Sequence, residues 1–107
     1  MFTVQPLACA LGAELSGVDL TLELSPKIFK ELRRLLVEYE VVFFRDQDIS
    51  PAQHRSLAAS FGPLQTHPAY NTVEGFPEIT ILESTAENPS KIEAWHSDMT
   101  FREHPPL

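Results

Sequence analysis

The chain has 107 residues, 43% of them hydrophobic and 21% charged, the composition of one folded domain rather than a disordered tail. A formal net charge of −7 excludes the basic face that nucleic acid or an anionic membrane requires, so neither is expected as a partner. A small anion can still bind where cations are local.

Residues 2–4 and 13–20 are predicted as short strands, separated by turns or bulges at Pro6, Gly12 and Gly17. Cys9, the single cysteine, allows no internal disulfide; a reducing compartment, with cytoplasm as the default, follows. No basic residue lies near it to lower its pKa, so it is read as structural. "PLACALGAEL" faintly resembles an export leader, but no Lys or Arg precedes it and Glu14 interrupts it. No apolar run reaches transmembrane length.

"LSPKIFKELRRLLVEYE" is the clearest helix. Ser25 is a natural N-cap and Pro26 suits the first helical position, where its missing N–H costs nothing. Ile28, Phe29, Leu32, Leu35, Leu36 and Tyr39 form one apolar stripe. "VVFFRD" follows as a strand expected to be buried on both faces, with Phe43 and Phe44 as core. Arg45 and Asp46 at its end are expected to pair with each other or to cap a turn.

"ISPAQHRSLAASFGP" repeats the helix pattern, with Ser50 as cap, Pro51 first, Leu57, Ala58 and Phe61 on the apolar side, and Gly62-Pro63 as the stop. His54 falls on its polar side. "LQTHPAYNTVEGFP" is predicted as a loop, "EITILES" as a strand and "TAENPSK" as a polar loop. The set of about five strands and two helices is α+β and reads as the first part of a larger sheet protein, because unpaired strands leave their edges unsatisfied.

The chemistry concentrates in "EAWHSDMTF". On a strand, His96 and Asp98 would point to one face, with Ser97 facing away and Trp95 walling the site. An imidazole and a carboxylate are two members of the facial triad that holds non-haem Fe(II). A lone H-x-D is also a common hydrogen-bonded pair, and zinc would accept the same donors given further ligands. No HExxH or CxxC accompanies it.

"WHSDMTF" followed by "PP" resembles the W-H-[ST]-D-x-[ST]-F…P-P signature of the taurine dioxygenase family, which includes dichlorophenoxyacetate and alkylsulfate dioxygenases. "GAELSGVDL", "VVFFRDQDISPAQHRSLAASFGPL", "THPAY" and "EITIL" also occur in that family's order and spacing. The resemblance implies an Fe(II)- and 2-oxoglutarate-dependent enzyme on a double-stranded β-helix, a jelly-roll-like barrel. Residues 1–107 would be the N-terminal portion of its single catalytic domain, incomplete without the later barrel strands.

By that resemblance His96 and Asp98 are iron ligands. The third ligand, the Arg that binds 2-oxoglutarate and a further substrate Arg are expected downstream of Leu107. His104, in a Pro-rich exit segment, is not expected to replace them. By the same resemblance His67 and Tyr70 match positions that contact the substrate's sulfonate group, and Met99 would lie near the substrate. A bland alternative stays open, in which His67 caps the turn before Pro68 and Tyr70 packs. Ile92 stands where the taurine enzyme has an Asn, which argues against taurine itself and for a less polar sulfonate or an alkyl sulfate ester.

The implied reaction consumes O₂ and 2-oxoglutarate, yields succinate and CO₂, and hydroxylates the substrate, which collapses to an aldehyde with release of sulfite or sulfate. The rivals are the same chemistry on an aryloxy-carboxylate, and a truncated, non-catalytic binding or oligomerisation module. A small anionic substrate and a homo-oligomer are expected.

Overall fold

The computed structural model describes residues 2–91 and 93–105. Ile92, which carries the departure from the taurine pattern, lies outside the described residues. The chain divides into two compact units, Met1–Gln53 and His54–Leu107.

In the first unit, β1 (Thr3–Pro6) pairs antiparallel with β2 (Ala13–Ser16), Thr3 opposite Ser16 and Pro6 opposite Ala13. Gly12 makes the return possible, since its φ of +92° is one that side chains rarely adopt. The chain then forms α1 (Pro26–Tyr39) and returns as β3 (Val42–Phe43), parallel to β2 on the side away from β1. The signals expected of α1 are all used. Ser25 is extended, its Oγ accepts from the Ile28 N–H, and Pro26 opens the helix. Leu32 and Leu35 are buried with Leu15 of β2, and Phe2, Val4, Leu24, Ile28, Tyr39, Val42 and Phe44 pack against them. Burial of each such aliphatic side chain contributes about 1.5–3 kcal/mol.

Three expectations change here. The second strand ends at Ser16 rather than Leu20. Val18 and Leu20 are nevertheless buried, because the Gln47 side chain substitutes for a strand partner. Its Oε1 accepts from the Leu20 N–H (2.8 Å) and its Nε2 donates to the carbonyls of Val18 (3.1 Å) and Arg45 (2.9 Å). The strand expected to be buried on both faces has two residues, and Phe43 is 39% exposed. It pairs with β2 alone, so among the described residues nothing covers its other edge. Arg45 does not pair with Asp46. Its Nε donates to Glu14 of β2 at 3.0 Å, and its guanidinium lies 5.8 Å from the Phe43 ring centroid.

Helix α2 (Pro51–Phe61) begins as expected, through a reciprocal cap. The Gln53 N–H donates to Ser50 Oγ (3.3 Å) and the Ser50 N–H to Gln53 Oε1 (2.8 Å). In the second unit, part of the predicted loop is a strand. Thr72–Val73 (β4) pairs antiparallel with Phe76–Thr80 (β5), turning through Glu74 and Gly75, the latter at φ +79°. β5 stops at Thr80, short of the expected Ser84, and Ile81 and Leu82 are exposed. Among the described residues no helix is long and apolar enough to cross a membrane.

Candidate metal and substrate site

The segment around His96 is not a strand. Ala94 lies in a bend and residues 98–101 form a turn, which the Arg102 N–H closes on the Met99 carbonyl at 3.0 Å. Met99 takes a left-handed φ of +56°, uncommon for a residue with a side chain. The two groups that strand alternation was expected to align meet at the start of that turn: His96 Nε2 lies 2.9 Å from Asp98 Oδ1. Trp95 does not wall the pair off, because it is fully exposed. With Glu93, Ala94, His96 and Asp98 it lines an open cleft of about 550 Å³.

The imidazole is oriented by the backbone. His96 Nδ1 is 2.8 Å from the Ala94 carbonyl, which can only accept, so Nδ1 carries a proton and donates it. In the neutral ring the Nε2 lone pair then faces the Asp98 carboxylate. Two electron-rich atoms 2.9 Å apart repel unless a proton or another cation lies against them. The Ala94 carbonyl and then the Asp98 charge accordingly raise the His96 pKa above its usual 6.5. An Nδ1–H held by a carbonyl, with Nε2 free toward a carboxylate, is also the arrangement of a metal-ligating histidine. The donors therefore fit a divalent cation on one side. Among the described residues no group of three or more His, Cys, Asp and Glu could hold a metal, so the pair could offer only some of the donors that such an ion needs. His104 is exposed and belongs to a different cleft, beside Phe61 and Pro63.

A second pair forms on the loop before β4. The rings of His67 and Tyr70 are 4.7 Å apart at 45°. His67 Nδ1 accepts from the Ala69 N–H at 3.2 Å, so in the neutral ring the proton sits on Nε2. The expected cap of the turn is therefore made at Nδ1, and the Nε2–H is the group that could donate to a ligand. Tyr70 is 42% exposed and lines a separate cavity of about 680 Å³ to which Lys91 brings a positive charge. Sequence reading passed over this lysine because it lies in a polar loop. Met99 is half-buried beside Asp98. The Phe101 ring meets His67 edge-on with centroids 6.1 Å apart, so the turn that starts at Asp98 and the His67 loop touch.

The model of the taurine catabolism dioxygenase TauD, TfdA family matches residues 3–107. The chain belongs to that family. It is 30% identical over 99 residues to an alkylsulfatase of Acinetobacter baylyi, covering 92% of this chain and 31% of that protein. It is likewise 30% identical over 101 residues to an alpha-ketoglutarate-dependent sulfate ester dioxygenase of Pseudomonas putida, covering 94% and 33%. The crystal structure of a taurine dioxygenase from Burkholderia xenovorans superposes with a TM-score of 0.66 at 43% identity, over 71% of this chain and 28% of that one. This family member therefore shares part of a dioxygenase fold, and it spans about a third of the length of the curated relatives it matches.

Proposed function

We propose that this chain is the N-terminal portion of an Fe(II)/2-oxoglutarate-dependent dioxygenase domain that hydroxylates a small organic sulfonate or alkyl sulfate ester. The observation that carries the reading is the His96–Asp98 pair, 2.9 Å apart, with Nδ1 engaged by a carbonyl and Nε2 left toward the carboxylate. His96 Nε2 and an Asp98 oxygen would hold the metal, and a third ligand would come from residues beyond these. Bound Fe(II) supplies the activation of O₂ that couples decarboxylation of 2-oxoglutarate to hydroxylation of the substrate. Asp98 would also offset the metal's charge.

His67 Nε2–H and the Tyr70 hydroxyl, which both donate, would bind the sulfonate or sulfate oxygens, with Lys91 adding a local cation. Met99 would border the substrate's carbon chain. The jelly-roll barrel, the arginine for 2-oxoglutarate and a homo-oligomeric state belong to the same reading.

The test uses the complete polypeptide that carries these residues, supplied with Fe(II), ascorbate and 2-oxoglutarate. Replacing His67 by Ala is expected to raise KM for the organosulfur substrate while changing kcat little, the signature of lost substrate binding. Equal loss in both constants, or turnover of an aryloxy-carboxylate in preference, would contradict it.

A further inference from the structure

We infer that Arg102 is a positioning residue that fixes the substrate-binding loop against the metal-pair turn. This rests on the roles proposed above for His67, Tyr70, His96 and Asp98. The guanidinium reaches back more than thirty residues in sequence. Its Nη1 donates to the Gln65 side-chain oxygen, and its Nη2 donates to the Thr66 carbonyl at 3.3 Å. Its own backbone N–H closes the turn on Met99. One half-buried side chain thus holds the residues just before His67 and, through its backbone, the turn that presents Asp98 and Met99. Between them stands Phe101, its ring 5.9 Å from the Arg102 guanidinium carbon and edge-on to His67 at 6.1 Å.

Two acceptors on adjacent residues suit a planar fork and not an ammonium, whose single charged nitrogen cannot span them. In an acidic chain, burying part of this cation needs compensation, and the two oxygens provide it without a carboxylate. Arg102 touches neither proposed metal donor, so its contribution is distance: it sets how far an anion held by His67 lies from the metal pair.

The experiment combines kinetics with a structural readout on the complete polypeptide that carries these residues. Arg102→Lys is expected to raise KM for an alkyl sulfate ester and to lower kcat/KM roughly ten-fold or more, since misplacement by about an ångström can cost about a hundred-fold in rate. Gln65→Leu removes one acceptor, leaves Arg102 in place and should move KM in the same direction. Combined with His67→Ala, Arg102→Lys should add little, because both changes act through the same loop. With His and Phe isotopically labelled, the His67–Phe101 ring contact should be visible by nuclear magnetic resonance in the wild type and lost in both variants.

Persistence of that contact in both variants, its absence from the wild type, or full additivity with His67→Ala would overturn the inference. Loss of the contact in a protein that turns over no organosulfur anion would overturn the proposed function and support the clamp. Unchanged KM in both variants of an active enzyme would overturn the clamp and leave the function standing.

Discussion

His96 illustrates how a local backbone decides what a side chain can do. A bend at Ala94 offers a carbonyl to Nδ1, and that hydrogen bond determines which nitrogen is left to face Asp98. A chance H-x-D pair has no such constraint. Replacing His96 by Ala in the metal-bound protein is expected to lower Fe(II) affinity by at least ten-fold, measured by equilibrium dialysis; undiminished binding would remove His96 from the ligand set. At Asp19, one carboxylate oxygen accepts from the Thr21 N–H (2.9 Å) and hydroxyl (2.6 Å). The Thr21 hydroxyl and then its N–H lower the Asp19 pKa below 3.8. A depressed folded-state pKa means that the turn gains from ionisation above the ordinary value and loses that gain as pH falls through the folded one. Carbon-13 titration should therefore place Asp19 below an unstructured aspartate, and Thr21→Val should move it back up. No movement would show that the turn is held otherwise.

At the scale of elements, both helices were legible because their signals are local. Ser25-Pro26 and Ser50-Pro51 act within four residues of chain, and the stripe through Leu32 and Leu35 repeats with the helical period. Strands depend on partners that the sequence does not place. Gln47 completes the backbone of residues 18–20 from 27 residues away, and Arg45 finds Glu14 at a separation of 31, so neither pairing could be read locally. Thr72–Val73 was hidden by surrounding turn residues. The candidate site residues came from the resemblance, and their local geometry was not legible: His96 and Asp98 meet without a strand, at the start of a turn that holds left-handed Met99. Arg102 was missed for the reason that hid Arg45, a distant partner. Two element-level outcomes follow. Ser25→Ala should cost about 1 kcal/mol by loss of the α1 cap. Leu32→Ala should cost about 2–5 kcal/mol by opening a cavity against Leu15 and Leu35. Both are measured by denaturant unfolding, and a Leu32→Ala cost below that of Ser25→Ala would contradict the assigned core.

For the whole molecule, the limiting fact is how little is enclosed. Among the described residues six hydrophobic side chains are buried, and large apolar side chains including Leu22, Val37, Leu82, Trp95 and Phe101 are exposed. Such surface on a family member spanning about a third of its relatives' length is what further strands or a second copy would cover. The 107 residues alone are therefore expected to aggregate or self-associate in size-exclusion chromatography and to form no succinate, since two protein donors leave the facial geometry unfinished. The most direct test of the central claim, that His96 and Asp98 are the start of an Fe(II) site, uses the complete polypeptide. Succinate formed from 2-oxoglutarate in the presence of an alkyl sulfate ester or sulfonate would be measured for the wild type, His96→Ala and Asp98→Ala. The expected result is substrate-dependent succinate in the wild type and none above background in either variant. Substrate-dependent succinate persisting in both variants would contradict the claim.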